Sequence, residues 1–203
     1  NKPLLLYRQL LQWLGGIGIV VLVLAILPIL GVGGMYLYKA ETSSPVKDNK
    51  LSPRITETAK SLWGVYIVLT IACAVLYKIA GMSYFDAIGH SFSTVSIGGF
   101  STHDASIGFY SSDLIKIICM VFMFLSALNF VLHFLFYKNK SLTVYTSNSE
   151  MKSFLLIIII LLLLVAIFST GGRTQSLENI DIMFHILSFA TTSGFTVSNY
   201  SNW

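Results

Sequence analysis

Two stretches of the sequence, residues 86–100 and 181–195, align with each other without a gap at an offset of 95 residues. Five of the fifteen aligned positions are identical, and Ser96 aligns with Thr191, which also carries a hydroxyl group. The identical pairs are Asp86 and Asp181, His90 and His185, Ser93 and Ser188, Gly99 and Gly194, and Phe100 and Phe195. Each copy follows a long apolar segment and ends in hydroxyl residues before Gly-Phe, the order of a helix, a half-helix and an exposed backbone loop. This internal repeat indicates a membrane pore built from repeated units.

Four apolar segments are candidates to cross a lipid bilayer. Hydrophobic residues make up 55% of the 203 residues and charged residues only 11%, whereas a soluble domain carries about 25% charged residues. A spanning helix needs about 20 residues. The four segments are residues 14–38, 61–77, 117–137 and 154–168, the last extended by residues 153 and 169–172. We therefore predict an all-α integral membrane fold with four spans in this chain, embedded in the lipid bilayer.

Positive charge is concentrated in two of the connections between these segments. Of the thirteen Lys and Arg residues, five lie in residues 39–60 and three in residues 138–152. Because Lys and Arg are retained on the cytoplasmic side, both connections are predicted to be cytosolic, which places both repeated segments on the outer side. The net charge of +4 then reflects topology. Without a basic face interleaved with aromatic residues, the chain is not predicted to bind nucleic acid.

Each repeated segment is too short to cross the membrane twice as a helix. Residues 83–95 would form roughly 20 Å of helix at 1.5 Å per residue, which suits a segment that enters the bilayer partway and returns as coil. Ser83 and Asp86 resemble a capping box at the helix start, and Glu178 and Asp181 favour a helix start in the second copy. Non-helical backbone at membrane depth is tolerated where it is buried in protein or lines a water-filled cavity. The two glycine turns are therefore predicted to line a water path.

The two turns carry no charged side chain. The residues at issue are Val95, Ser96, Ile97, Gly98 and Gly99 in the first turn and Thr191, Thr192, Ser193 and Gly194 in the second. Such turns offer carbonyl and hydroxyl oxygens, which are ligands for a cation that has shed its water, and glycine allows successive carbonyls to point the same way. A monovalent cation fits better than a divalent one, because divalent cations recruit carboxylates. These nine residues are the predicted ion-binding residues.

Three motifs carry a resemblance to a known family. They are HSFSTVSIGGFSTHDAS at residues 90–106, YRQ at residues 7–9 followed by QWLGGIG at residues 12–18, and ATTSGF at residues 190–195. Over nearly the whole chain the sequence resembles the Trk/Ktr/HKT potassium transporters, most of all their bacterial TrkH-type subunits. The resemblance implies a K⁺ channel-like fold of four helix–pore loop–helix repeats, with K⁺ as the transported ion at the filter residues and no cofactor in this chain. It also implies a multi-pass protein of the bacterial inner membrane that forms a homodimer and binds a cytosolic nucleotide-binding regulatory subunit.

The resemblance also divides the chain. Residues 1–38 correspond to the second helix of repeat one, residues 61–137 to the whole of repeat two, and residues 153–203 to the first helix and pore loop of repeat three, with cytosolic linkers at 39–60 and 138–152. Because the sequence begins with Asn and stops soon after the second turn, we expect it to be a fragment. The ungapped offset pairs Gly99 with Gly194, so Gly99 rather than Gly98 is expected to be the filter glycine.

Other polar residues have simpler explanations than a separate site. His90 and His185 each follow an Asp by four residues, yet one His per half-helix is better explained by hydrogen-bonded packing beneath the turn than by a metal site. Asn129 and His133, one turn apart in the third predicted span, are polar enough to face protein or the cavity. They are candidates to line the pore, although interhelical hydrogen bonding also explains them.

The sequence therefore predicts potassium uptake across the plasma membrane through a backbone-carbonyl selectivity filter, and no enzymatic activity. The alternative is a membrane carrier for another cation or a small solute. Carriers often place a charge at the membrane midplane, and none of the four predicted spans contains a Lys, Arg, Asp or Glu. An intramembrane enzyme that uses His and Asp is disfavoured, because Asp86 and Asp181 fall at half-helix starts near the outer interface.

Overall fold

The structure is a computed structural model that describes residues 1–16, 18, 55–169 and 179–199. In these residues the regular structure is helical throughout, as the sequence predicts. The helices are α1 (Lys2–Gly16), α2 (Ile55–Ile79), α3 (Tyr84–Val95), α4 (Asp113–Ala127), α5 (Phe130–Asn139), α6 (Thr143–Ser147), α7 (Ser149–Ser169) and α8 (Asn179–Ala190), with a 3₁₀ helix at Ser106–Phe109. The rest of the predicted first span, the linker residues 39–54, Glu178 and the flank at 170–172 lie outside the described residues.

Helix α2 has the length and sidedness of a helix at the boundary between protein and lipid. Its segment Ser61–Ile79 is long and apolar enough to cross a membrane, in agreement with the span predicted at 61–77. The buried side chains of this segment recur at helical spacing and include Leu62, Tyr66, Cys73 and Tyr77. Apolar residues also cover the opposite face, where Val68 and Ile79 are 65% and 72% exposed. A lipid-facing helix needs such a surface, since it packs protein on one side and hydrocarbon on the other.

The third predicted span is not a continuous helix. Helices α4 and α5 together are apolar and long enough to cross a membrane, but they meet at an angle of 92°. Leu128 is extended, and Asn129 accepts a hydrogen bond from the amide of Val131 through Oδ1 at 3.0 Å. Asn129 therefore acts as the N-cap of α5, and the predicted spacing of one helical turn between Asn129 and His133 does not apply, because Asn129 precedes the helix.

Of the first predicted span, residues 14–16 form the end of α1, and the fourth predicted span falls on α7. Helix α1 begins at Lys2, well before the apolar run that starts at residue 14, and two of its polar side chains, Gln9 and Gln12, contact other parts of the protein. Gln9 is also buried. Helix α7 extends from Ser149 and so includes the end of the linker predicted at 138–152, while α6 occupies its middle.

Two half-helices of twelve residues each, α3 and α8, correspond to the two copies of the repeat. Helix α3 packs against α1, α2 and α4, and α8 packs against α4 and α7. Helix α4 thus touches both half-helices and ties the two copies together. The half-helix predicted at 83–95 is confirmed, since α3 begins one residue after Ser83 and ends at Val95.

The N-terminus of α3 has a side-chain cap. The hydroxyl of Ser83 accepts a hydrogen bond from the amide of Asp86 at 3.1 Å and donates to its carboxylate at 2.7 Å. Ser112 stands at the equivalent position before α4 without a side-chain cap hydrogen bond.

Replacing Ser83 with alanine is expected to lower the free energy of unfolding by about 1 kcal/mol, because one helix N-terminal amide loses its acceptor. Ser112→Ala is the matched control and should have an effect within about 0.5 kcal/mol. Thermal unfolding of the purified protein in detergent measures both variants. Equal destabilisation by the two substitutions would contradict the capping role of Ser83.

Candidate ion-binding turns

The two glycine turns have the same backbone conformation. Gly99 and Gly194 both have positive φ, +74° and +80° respectively. Two positions earlier, Ile97 and Thr192 also have positive φ, 56° and 61°. The left-handed conformation costs a residue with a side chain roughly 1–2 kcal/mol and is rare for a β-branched residue. The repeat seen in the sequence therefore extends to the strained positions of the backbone.

Both half-helices end in a Schellman motif, in which the amides that follow the helix bond back to its last carbonyls. In the first copy the amide of Gly98 donates to the carbonyl of Ser93 at 2.8 Å, and in the second the amide of Ser193 donates to that of Ser188 at 3.0 Å. The amide of Ile97 completes the first motif with a 3.1 Å bond to Thr94. Each half-helix thus ends abruptly and directs its partially negative end toward the adjoining turn.

Most carbonyl oxygens of the predicted ion-binding residues are left open. Among the nine, a hydrogen bond from a described residue is found only at Gly98, whose carbonyl accepts from Nε2 of Gln12. Carbonyl oxygens that are held in place by a constrained backbone and accept no hydrogen bond from the protein are available to coordinate a dehydrated cation.

The structure brings the two turns into contact. A Cβ atom added to Gly99 would collide with the carbonyl oxygen of Ser193 and lie 3.2 Å from the carbonyl carbon of Gly194. The two sets of residues predicted from sequence therefore meet, with the backbone of the second turn packed against Gly99. Around Gly194 no described atom lies within 4 Å of the corresponding position.

Each turn is supported by a different set of helices. Directly before the first turn, at the end of α3, the hydroxyl of Thr94 lies 2.9 Å from the hydroxyl of Tyr77 on α2, and both side chains are buried. On the second, the hydroxyl of Ser193 donates to the sulfur of Met123 on α4 at 2.8 Å. The hydroxyl of Ser188 donates to the carbonyl of Phe195 at 2.7 Å and so closes the second turn on its own half-helix.

The segment after the first turn also holds the second. The amide of Gly108 donates to the carbonyl of Thr196 at 3.1 Å, and the amide of Thr196 donates to the hydroxyl of Ser106 at 3.2 Å. A Cβ atom at Gly108 would collide with the carbonyl oxygen of Val197. The two copies are thus joined by backbone contacts as well as through α4.

The two repeated histidines tie each half-helix to the coil that returns from it. His90 is fully buried, and its imidazole bonds the carbonyl of Asp86 and the hydroxyl of Ser101, both at 2.8 Å. His185 is also fully buried and accepts from the amide of Ser198 at 3.3 Å. The interpretation of these residues as hydrogen-bonded packing is confirmed.

Charged groups lie at the start of both half-helices. Burial alone would raise the pKa of Asp86, but hydrogen bonds from Thr102 and Ser83 and the nearby imidazole of His103 outweigh it and lower the pKa below its ordinary value. At the second half-helix, Nζ of Lys116 lies 2.8 Å from Oδ1 of Asp181, with both side chains largely buried. Both half-helices therefore begin with a carboxylate held by polar partners.

The candidates for lining the pore lie at the break between α4 and α5. The imidazole of His133 donates to the carbonyl of Leu125 at 2.9 Å and accepts from the hydroxyl of Tyr145 at 2.8 Å. Asn129 caps α5 as described above. Both residues therefore hold the broken segment together. In the described part of the chain, no hydrogen bond or ring contact joins them to the turns.

Several residues around the turns were missed by the sequence analysis as contributors to the site. They are Gln9, Gln12, Ser106, Gly108 and Lys116. Gln9, Gln12 and Ser106 lie within the stretches that carry the family resemblance, but the roles of all five residues depend on contacts between segments far apart in sequence. In the described ranges, no group of three His, Cys, Asp or Glu side chains is placed to hold a metal ion.

Comparison with known proteins identifies similar sequences and a similar structure. The family model described as TrkH, cation transport protein, matches residues 1–203. The chain is 51% identical over 205 residues to the Trk system potassium uptake protein TrkH of Halomonas elongata, covering 100% of this chain and 42% of that protein. It is 49% identical over 203 residues to the protein of the same name from Escherichia coli K12, covering 98% of this chain and 42% of that protein.

Among solved structures, the crystal structure of the potassium transporter TrkH from Vibrio parahaemolyticus matches with a TM-score of 0.81 and 42% identity, over 100% of this chain and 41% of that one. The chain thus spans about two fifths of the length of these relatives. The similarity confirms the predicted all-α integral membrane fold class.

Proposed function

This chain belongs to the family of TrkH cation transport proteins, and on that basis we propose that its two glycine turns form part of the selectivity filter of a potassium uptake protein. In this proposal the complete protein takes K⁺ up across the bacterial inner membrane, and this chain supplies two of its pore loops. Relatives that span the whole chain carry the name Trk system potassium uptake protein, which supports K⁺ as the transported ion.

The observation that supports the proposal most strongly is the matched backbone of two uncharged turns in contact with each other. The left-handed conformations at Ile97 and Gly99 recur at Thr192 and Gly194. Backbone strain at β-branched residues persists where the surrounding structure holds it, and such positions cluster at functional sites. The positive φ at Ile97 and Thr192 closes each half-helix, and its recurrence together with that at Gly99 and Gly194 gives the two uncharged turns the same backbone path.

The turns would act by replacing the water of hydration. K⁺ leaves bulk water at the outer mouth and exchanges its water ligands for carbonyl oxygens of residues 95–99 and 191–194. The C-terminal ends of α3 and α8 add partial negative charge, which favours a cation over an anion. Uncharged ligands hold a monovalent ion loosely enough for it to leave, whereas divalent cations are usually bound through carboxylates.

We further propose that the parts of this chain correspond to successive repeats of the family. Residues 1–38 are the second helix of repeat one, residues 61–137 the whole of repeat two, and residues 153–203 the first helix and pore loop of repeat three, joined by cytosolic linkers at 39–60 and 138–152. The chain then crosses the membrane four times. The pairing of α3 with α8 through α4 supports the placement of two consecutive pore loops around one path.

We also propose that the complete protein forms a homodimer and binds a cytosolic nucleotide-binding regulatory subunit. The relatives are named as proteins of a Trk system, which supports the proposal that the complete protein acts together with other proteins. We propose no cofactor for this chain. Asn129 and His133 are proposed to line the ion path beneath the filter.

Uptake of radioactive Rb⁺ by K⁺-depleted cells that express the complete protein tests the proposed function. Unlabelled K⁺ should suppress this Rb⁺ uptake at a concentration at least about tenfold lower than the Na⁺ concentration that has the same effect, because the filter selects between the two ions. Equal competition by K⁺ and Na⁺ from a membrane-inserted protein with its partner present would contradict the assignment of the turns to a potassium filter.

A further inference from the structure

We propose that Gln12, on α1, is a positioning residue that sets the ion selectivity of the first turn, and that residue 98 is glycine because the side-chain amide of Gln12 fills the space beside it. This inference rests on the proposed function of the turns as a filter. It assigns a role to a helix that is not part of either repeat copy, and it explains why the two turns differ at the position where Gly98 aligns with Ser193.

The amide of Gln12 bridges the half-helix and the turn. Its Nε2 donates to the carbonyl oxygen of Gly98 at 2.5 Å, and its Oε1 accepts from the hydroxyl of Ser93 at 3.0 Å. Both polar atoms of the amide are therefore used, so the direction in which it binds is fixed. A Cβ atom at Gly98 would collide with this amide, so the bridge exists only while residue 98 lacks a side chain.

The face of α1 that carries Gln12 follows the whole first turn. Gln9, one helical turn earlier, is buried and donates from Nε2 to the carbonyl of Phe100 at 3.4 Å. At Gly16, one turn after Gln12, an added Cβ atom would lie 3.0 Å from the Cβ of Ser96. The helix therefore contacts the turn at Ser96, Gly98 and Phe100, which lie on both sides of the predicted filter glycine. Residues with this spacing share one face of a helix, which makes α1 a continuous support for the turn.

The second turn is braced in another way at the equivalent position. Ser188 corresponds to Ser93, and its hydroxyl lies 3.2 Å from the hydroxyl of Ser193 in place of a glutamine amide. The hydroxyl of Ser193 also contacts the sulfur of Met123. The second turn thus supplies its own side chain where the first turn receives one from α1.

This difference has a consequence for the ligands of the ion. The carbonyl of Gly98 is held by a donor from outside the turn, so its direction is set by α1 and its oxygen is partly withdrawn from the ion. The carbonyl of Ser193 faces Gly99 and has no donor among the described residues. The two turns therefore present unequal oxygens to one path, and the selectivity of the filter depends on the position of the Gln12 amide.

Three variants of the complete transporter test the inference. For each we measure the rate of Rb⁺ uptake and the K⁺/Na⁺ ratio, defined as the ratio of the K⁺ and Na⁺ concentrations that each reduce Rb⁺ uptake by half. Gly98→Ser should lower uptake about tenfold, because the hydroxymethyl group displaces the Gln12 amide from its bonds. Gln12→Ala should change the K⁺/Na⁺ ratio with a smaller loss of maximal rate. The double variant combines Gly98→Ser with Gln12→Ala, so that the first turn carries the serine found in the second turn and the colliding amide is absent. Its uptake should lie within about threefold of that of Gln12→Ala alone.

A conservative variant and a control separate positioning from folding. Gln12→Glu keeps the size of the side chain but replaces the donor with an acceptor, so we expect an altered K⁺/Na⁺ ratio at normal membrane insertion. Leu11→Ala, on the half-exposed face of α1, should leave the ratio unchanged. The amount of inserted protein is measured for every variant by the fluorescence of a fused reporter.

The outcomes distinguish this inference from the function on which it rests. If the loss of Rb⁺ uptake in the double variant equals the combined losses of Gly98→Ser and Gln12→Ala, the proposed role of Gln12 is overturned. An unchanged ratio in Gln12→Glu would do the same, provided that Gly99→Ala still alters the ratio and the filter assignment therefore stands. If Gly99→Ala also leaves the ratio unchanged, the proposed function fails together with the inference.

Discussion

Replacement of Gly99 by alanine is expected to abolish selective potassium uptake while leaving membrane insertion intact. Gly99 has a φ of +74°, which costs alanine roughly 1 kcal/mol or more. The larger cost is the collision of the new methyl group with the carbonyl oxygen of Ser193. Since the obstacle is backbone and not a flexible side chain, either turn must move, and the proposed ligands of both turns are displaced.

The matched substitution in the second turn should be milder. Gly194 has the same backbone conformation, with φ +80°, but no described atom lies within 4 Å of an added Cβ. Gly194→Ala therefore bears only the conformational cost, and we expect reduced uptake with measurable K⁺ preference. Rb⁺ uptake with K⁺ and Na⁺ as competitors measures both variants, and Gly64→Ala, at an open position on α2, is the control. Wild-type selectivity in Gly99→Ala would remove this residue from the filter.

Loss of the Lys116 ammonium group is expected to destabilise the protein by about 3 kcal/mol, because it leaves the largely buried carboxylate of Asp181 without its counter-ion. The two side chains are 10% and 13% exposed and their charged atoms are 2.8 Å apart. This ion pair fixes the start of α8 to α4, so Lys116→Met should also lower Rb⁺ uptake by loosening the second half-helix.

The second carboxylate near Lys116 provides the control. Asp113 lies 3.2 Å from the same ammonium group but is 58% exposed, and exposed pairs contribute less than about 1 kcal/mol. Thermal unfolding in detergent should therefore place Asp113→Asn close to the unsubstituted protein and Lys116→Met well below it. The double variant Lys116→Met and Asp181→Asn should regain part of the loss. A larger effect of Asp113→Asn than of Lys116→Met would contradict this account of the ion pair.

The half-helices could be predicted because their signals are local. Ser83 and Asp86 mark the start of α3 within one residue, and the ungapped offset already aligns Gly99 with Gly194. The end of α3 is harder to predict from the sequence, because the left-handed residue that closes a helix is usually glycine and here is Ile97. Only the surrounding structure explains why a β-branched residue is held there.

Other features depend on contacts that no local pattern contains. Asn129 interrupts an apolar run of spanning length, and the sequence does not distinguish a polar residue inside a helix from one that caps a new helix. The bond between Gln12 and Gly98 joins residues 86 positions apart, and that between Lys116 and Asp181 joins residues 65 apart. The sequence predicted which turns form the candidate site, whereas the helices that brace them became evident only from the fold.

The most direct test of the central claim is to locate a heavy K⁺ analogue in crystals of the complete transporter. Anomalous diffraction from Rb⁺ or Tl⁺ should give a peak within coordination distance of the carbonyl oxygens of both turns, on the path between Gly99 and Gly194. In the Gly99→Ala variant this peak should weaken or disappear. Ions bound only elsewhere, in a preparation that still transports Rb⁺, would contradict the claim that these turns form part of the filter.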